Sequence, residues 1–312
     1  MQKKIALVFP GQGSQKVGMG QSVADLPEGR AVFDAVDAAL GYSLSAKIFQ
    51  GTDADLKDTK VAQPALMTAS MALFQVARAK GVTLDGVVYA AGHSLGEITA
   101  LCAMDALSLT DAATLLDVRA QAMSHAVPNG LGAMTAVLGL DPAQFESPDF
   151  KALSSENAVC CVANDNGAGQ VVLSGHKAAL ENAALWVKEQ GGRAISLPVS
   201  GPFHTDLMKP AADAVERALR SINVNAPTKP VITNVGATPQ TNPDTLKEHL
   251  VRQVTGTVRF RETMDFMAAA GVTDVIEIGS GKVLGNLFRR AHPDITVHNW
   301  QTLTDIDTYL GA

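Results

Sequence analysis

The chain has 312 residues, 46% hydrophobic and 18% charged, enough for one large α/β domain or a large domain with a smaller one attached. Its 25 Lys and Arg against 31 Asp and Glu leave a formal charge of −6, which speaks against general nucleic-acid binding. The cysteines, Cys102 and the adjacent Cys160 and Cys161, offer neither a disulfide framework nor metal-ligand spacing, so a reduced, cytoplasmic protein is the economical expectation.

Met1–Phe9 begins basic and turns apolar, as a signal peptide would. Its apolar run is too short, however, and it ends in Pro10-Gly11-Gln12-Gly13 instead of a cleavage site. Ile5–Phe9 therefore reads as a first strand, and no run in the chain is long enough to span a membrane. The loop Gly11-Gln12-Gly13-Ser14-Gln15 lacks both the Lys-Ser/Thr ending of a P-loop and the G-x-G-x-x-G spacing. Close approach of its backbone to a site at the carboxyl edge of a sheet is the alternative, and that would let Gln12 supply an oxyanion donor. Helices are expected over Ala31–Leu40 and Pro64–Lys80.

The next strand, Val87–Ala91, runs straight into Gly92-His93-Ser94-Leu95-Gly96, and a helical stretch Glu97–Leu107 follows. This is the strand–turn–helix context of a G-x-S-x-G nucleophile elbow, which lifts the serine hydroxyl clear of the sheet. Glycine fits two residues either side of Ser94 because a larger side chain would collide across so tight a turn. The Leu95 N–H is left at a helix start, where it can stabilise an oxyanion. His93 is expected to point away from Ser94 and shape the turn. On the following helix, Asp111–His125, an apolar arc of Ala112, Leu115, Leu116, Val118, Ala122 and Met123 has Arg119 at its middle. The guanidinium either snorkels outward along its stem or stays inside, where it needs a carboxylate or phosphate. No acid on the same face is placed to serve it, so a substrate carboxylate is the sharper expectation.

From about residue 129 the pattern changes. Ala133–Leu140 reads as a strand, Pro142–Ser154 as a helix, Ala158–Asn164 and Gln170–Ser174 as strands, Lys177–Gln190 as a helix and Arg193–Pro198 as a strand. That βαββαβ order is the split arrangement of a ferredoxin-like unit. It predicts an α/β protein with an α/β-hydrolase-like catalytic part on a parallel sheet, residues 1–128 and 199–312, and a small inserted unit, residues 129–198. The cleft between the two would be the binding site. Asn164, Asn166 and Gln170 flank a loop whose turn formation alone explains them. After the insert comes Ser200-Gly201-Pro202-Phe203-His204. His204 is the candidate base for a nucleophilic serine, an ordinary surface histidine being the other reading. Helices at Leu207–Ser221, Asp244–Gln253 and Arg261–Ala270 and strands at Val231–Val235 and Val275–Ile278 complete the pattern.

Taken together these segments resemble the malonyl-CoA:acyl carrier protein transacylases. The matching pieces are Phe9 to Gln15, Gln63-Pro64-Ala65, Gly92 to Glu97, Arg119 with Met123, Ala163 to Asn166, Pro198 to His204, Asn234-Val235, Gln253 and Glu277 to Leu284, in unbroken order. The resemblance implies a ping-pong transfer of malonyl from malonyl-CoA, through an ester on Ser94 with His204 as base, to the phosphopantetheine thiol of an acidic acyl carrier protein in fatty acid synthesis. It implies Gln12 and Leu95 as the oxyanion hole and Arg119 as a bidentate holder of the malonyl carboxylate. Met123, Phe203, Gln63 and Asn164 would line the substrate, and a carbonyl near Gln253 would orient His204 in place of an aspartate. It implies no metal and no cofactor beyond the substrate malonyl-CoA, and no membrane or nucleic-acid partner. Phe203, where many members carry a smaller residue, and Leu95 point to malonyl over methylmalonyl. Gly279-Ser280-Gly281 departs from the commoner Gly-Pro-Gly. Lys188, Arg193, Lys282, Arg289 and Arg290 are expected to flank the cleft mouth and steer the carrier. A hydrolase would use the same elbow but has no use for a buried Arg119, and a non-catalytic docking subunit could dispense with Ser94 or His204.

Overall fold

The computed structural model describes residues 3–167, 169–199 and 201–311. Met1 and Gln2 of the expected leading segment, and Ser200 of the loop expected to carry His204, lie outside them. Eleven strands among the described residues are β1 (Ile5–Phe9), β2 (Val87–Gly92), β3 (Gly132–Leu138), β4 (Cys160–Asp165), β5 (Gln170–His176), β6 (Arg193–Ser196), β7 (Val231–Ile232), β8 (Pro239–Gln240), β9 (Val258–Arg259), β10 (Asp274–Ile278) and β11 (Thr296–Trp300). They form two sheets flanked by helices, a mixed α/β architecture, as the alternation of apolar runs and amphipathic segments predicts.

The larger sheet has the order β11-β10-β1-β2-β7-β8, parallel throughout except for β7 with β8. Its inner strands β10, β1 and β7 are buried on both faces, whereas the edge strands β11 and β8 are half-buried. Leu7 and Phe9 of β1 join one core with Leu66 and Leu73, while Ala6 and Val8 join another with Phe260, Met264 and Phe288. Helices on both sides are what a parallel sheet needs, and they explain why β1 is apolar without alternating. The second sheet has the order β6-β3-β5-β4-β9 and is antiparallel except for β4 with β9. Val137, Val171 and Leu173 pack one of its faces against Leu180 and Trp186. The other face presents Met134, Ala163 and Val172 to the larger core. Four strands of this sheet fall within residues 129–198, and the fifth, β9, comes from far downstream.

Several elements differ from the sequence reading, each for a physical reason. The helix expected to begin at Pro64 begins at Thr59, capped by the Asp58 side chain, and runs through the proline to Ala79. Burial of Thr59, Val61, Ala62 and Gln63 outweighs the one N–H that Pro64 cannot donate. Pro142–Ser154 is not one helix: a 3-10 turn at Pro142–Glu146 and a single turn at Pro148–Lys151 are separated by Ser147, extended at φ −64° and ψ 149° ahead of a proline. The helix after the elbow spans Leu95–Ala103, not Glu97–Leu107, and Asp105 in the left-handed region prevents its continuation. Val231–Val235 pairs only over Val231–Ile232, which frees Asn234 from the ladder. The short helices Leu44–Gln50, Asp53–Lys57, Val283–Ala291 and Leu303–Leu310, and β8, β9 and β11, were not among the expected elements; each is at most nine residues long, too short for a repeating pattern to stand out. Among the described residues no helix is long and apolar enough to cross a membrane.

Candidate active site

Strand β2 brings the chain to Gly92 at the carboxyl edge of the larger sheet, and the helix Leu95–Ala103 leaves from the same point. Between them Ser94 takes φ 54° and ψ −109°, a conformation that costs an L-residue about 1–3 kcal/mol. Two glycines permit it. A Cβ on Gly92 would overlap the backbone of Gly96, and one on Gly96 would overlap the carbonyl of Phe9. The atoms in the way are backbone, so no rotamer change relieves the clash. Gly96→Ala is expected to lower stability by about 2 kcal/mol or more, seen as an earlier midpoint in urea unfolding. An unchanged midpoint would contradict the closeness of this turn. Asn234 then holds the elbow from outside: its Oδ1 accepts from Ser94 N–H at 2.8 Å and its Nδ2 donates to the Gly92 carbonyl at 2.7 Å.

His204 arrives on the loop after β6 and also sits at positive φ, 60°. Its Nε2 is 2.9 Å from Ser94 Oγ. Its Nδ1 faces the carbonyl oxygens of Gln253 at 2.8 Å and Gly256 at 3.1 Å. Carbonyls only accept, so Nδ1 carries the proton and Nε2 is free to accept from the serine hydroxyl. Burial pushes the imidazole down to about 3, and the nearby Arg119 charge adds to the shift. The ring is therefore neutral through the physiological range. An NMR titration is expected to show no His204 midpoint near the ordinary 6.5, and a midpoint at or above about 6 would contradict this electrostatic picture.

Arg119 lies on the helix Leu109–His125 and is 1% exposed, so it does not snorkel outward. The buried face of that helix includes Ala113 and Ala120, whereas Val118 and Ala122 are half-buried. The guanidinium donates from NH1 to Gln63 Oε1 at 2.6 Å, and from NH2 to Ser94 Oγ at 2.9 Å and Gln253 Oε1 at 2.8 Å. All three acceptors are neutral. Its Nε has no partner among the described residues, and an unpaired buried donor costs about 1–3 kcal/mol. Burial lowers the guanidinium to about 10 while the charge of Glu97 opposes the shift, so Arg119 stays protonated. Glu97 comes from the elbow helix, not from the helix of Arg119. Burial raises its carboxyl to about 7 against the pull of its hydrogen bonds with Asn234 and Gln253 and of Arg119.

These groups border a cavity of about 470 Å³ between the two sheets. Of the expected residues, Ser94, His204, Gln12, Leu95, Gln63, Met123, Phe203 and Asn164 line it. Arg119 and Gln253 lie behind the lining and reach Ser94 from beneath. The Gln12 side chain donates to Thr59 Oγ1 at 3.0 Å, which ties the glycine loop to the helix that carries Gln63. His93 lines the cavity as well as shaping the turn: its Nε2 is 2.9 Å from Asn166 Oδ1, and its ring packs on Phe260. Asn166 is thus more than a turn residue. Of the basic side chains expected at the mouth, Lys188, Arg193, Lys282, Arg289 and Arg290, none lines the cavity, whereas Lys16 and Lys57 do. Sequence reasoning gave no role to Glu97 or Asn234. The one available signal for Glu97 was a lone carboxylate opening an otherwise small and apolar helix.

A serine whose hydroxyl meets a neutral, carbonyl-oriented imidazole, beside the Leu95 N–H at a helix start and a buried guanidinium, can form and resolve an ester whose acyl group carries an anion. A family model described as acyl transferase domain matches residues 6–298. The malonyl CoA-acyl carrier protein transacylase of Escherichia coli (strain K12) is 43% identical over 295 residues, covering 94% of this chain and 94% of that protein. The solved acyl-carrier-protein-S-malonyltransferase of Bartonella henselae superposes with a TM-score of 0.95 at 45% identity, covering 99% of this chain and 98% of that one. A malonyl-transacylase solved in complex with a type II PKS acyl-carrier protein superposes with a TM-score of 0.93 at 36% identity, covering 99% of each chain.

Proposed function

The chain belongs to the acyl transferase family, among the malonyl CoA-acyl carrier protein transacylases, and we propose that it moves malonyl from malonyl-CoA to a carrier-protein thiol through an ester on Ser94. The observation that carries this reading is the double engagement of one oxygen. Ser94 Oγ lies 2.9 Å from His204 Nε2 and 2.9 Å from Arg119 NH2, so the nucleophile and the anion holder meet at one atom.

In the first half-reaction Ser94 Oγ attacks the thioester carbonyl while His204 Nε2 takes its proton. The oxygen that becomes negative is stabilised by the backbone N–H groups of Gln12 and Leu95. The carbon–sulfur bond then breaks, and His204 returns the proton to the departing CoA thiol. In the second half-reaction the phosphopantetheine thiol of an acidic carrier protein gives its proton to His204 and attacks the ester, and Ser94 leaves as the hydroxyl. Arg119 holds the malonyl carboxylate throughout, with its Nε–H, which has no partner among the described residues, available as a donor. Met123, Phe203, Gln63 and Asn164 shape the acyl pocket, and the bulk of Phe203 favours malonyl over branched relatives. The chemistry uses side chains and backbone N–H groups of this chain, with no metal or cofactor besides the acyl donor.

The strand order of the second sheet and its helix Lys177–Glu189 support a ferredoxin-like insert in a hydrolase-like catalytic part. Three cysteines without a disulfide fit a cytoplasmic setting. The transfer is tested by intact-mass measurement after mixing with malonyl-CoA, followed by a phosphopantetheinylated carrier protein. The expected result is a malonyl adduct that disappears as the carrier becomes malonylated. An adduct that decays equally fast without carrier would instead identify a hydrolase.

A further inference from the structure

Glu97 has no part in the steps above, yet it is fully buried three residues after Ser94. Its Oε2 accepts from the Asn234 N–H at 2.7 Å and from Gln253 Nε2 at 2.9 Å. The same Gln253 amide presents its Oε1 to Arg119 NH2 at 2.8 Å and its Nε2 to the Ser94 carbonyl at 3.0 Å and to Asn234 Oδ1 at 3.3 Å. An amide has two ends of opposite character and can in principle point either way. Here it has no choice. A guanidinium can only donate, whereas the Ser94 carbonyl and the ionised Glu97 carboxylate can only accept, so the nitrogen end faces these two and the oxygen end faces Arg119.

We propose that Glu97 is a positioning residue for the transfer: it fixes the direction of the Gln253 amide and thereby keeps an acceptor oxygen on Arg119, holding the guanidinium where it meets Ser94. Without an acceptor at position 97 the Gln253 nitrogen keeps only the Ser94 carbonyl and the longer contact to Asn234 Oδ1, so the amide is held less firmly in that direction. The guanidinium is then held less firmly by Gln253 Oε1 and shifts from Ser94 Oγ. Asn234 loses its backbone anchor in the same change, so the elbow that it braces is loosened for every substrate. The two effects separate by acyl group. The elbow serves all thioesters, whereas Arg119 serves only those that carry an anion.

The inference rests on the reading of Ser94 and Arg119 given above, and the test keeps the two apart. Glu97→Met removes the acceptor while retaining an unbranched apolar chain, and Glu97→Gln retains an acceptor oxygen. With Glu97→Met the malonyl-to-acetyl ratio of kcat/KM is expected to fall roughly 10- to 100-fold, the size of one hydrogen bond to a charged group. Glu97→Gln is expected to fall between that variant and wild type. In an Arg119→Ala background Glu97→Met should leave the ratio unchanged, because the route through Arg119 is already cut. Equal loss on both acyl groups, or a ratio that still falls in the Arg119→Ala background, would overturn the proposal. Should Glu97→Met fail to fold, Gln253→Leu removes the amide but keeps the carbonyl that faces His204, and the same fall in ratio is required of it. If wild type forms no adduct on Ser94, the underlying reading fails; an adduct in wild type with an unmoved ratio in the variants defeats the Glu97 proposal alone.

Discussion

Replacement of Ser94 by alanine is expected to abolish the malonyl adduct and to reduce transfer by more than about 10⁴-fold, the scale on which loss of a catalytic serine acts. The neighbourhood offers no substitute. Cys161 is the nearest thiol to the histidine loop, its Sγ facing the His204 carbonyl at 3.9 Å, but burial pushes that thiol up to about 11, so it has little thiolate to attack with. The variant keeps the cavity, His204 and Arg119, so it should still bind malonyl-CoA and protect it from competing thiols without turning it over. The fold should survive too. The hydroxyl is an acceptor for Arg119 but plays no part in the elbow, which is held by the Ser94 N–H and carbonyl. Intact-mass measurement decides the matter. An undiminished adduct in Ser94→Ala would place the acyl group on another residue and end the proposed mechanism.

Replacement of Arg119 by alanine is the second large effect, and it separates substrates instead of removing activity outright. Loss of a buried, hydrogen-bonded charge contact costs on the order of 2–5 kcal/mol. At about 1.4 kcal/mol per tenfold, malonyl transfer should fall by roughly 30-fold or more. Arg119 also engages Gln63, Gln253 and Ser94, so its removal strands two amide oxygens and should cost an acetyl thioester something as well. The discriminating quantity is therefore the ratio of kcat/KM for malonyl-CoA to that for acetyl-CoA, which is expected to drop steeply. The serine ester, no longer clamped, should also hydrolyse faster, since water can enter where the guanidinium stood. A ratio unmoved by the substitution would make Arg119 a structural residue and would remove the argument for an anionic acyl group.

What could be read from the chain itself was whatever is local. The elbow is contained within residues 87–103, and its glycines, strand and helix follow from sterics between near neighbours. The inward placement of Arg119 follows from the 3.6-residue period of its own helix, and its neutral partners from the lack of an acid on that face. The tertiary structure alone decided how the site is wired. Glu97, Asn234 and Gln253 come from three separate stretches of chain, and the hydrogen bond between Ser94 and Gln253 spans 159 positions. No periodicity encodes which end of a glutamine amide faces a guanidinium. Gln63 reaches the site because burial carries a helix back through Pro64 to Thr59, against the local rule that a proline opens a helix. The basic side chains that line the cavity are Lys16 and Lys57, which no local pattern singled out, because the walls of a cleft are set by packing between the two sheets. Side-chain type and spacing determine which groups can do chemistry; burial and long-range hydrogen bonds determine which of them meet.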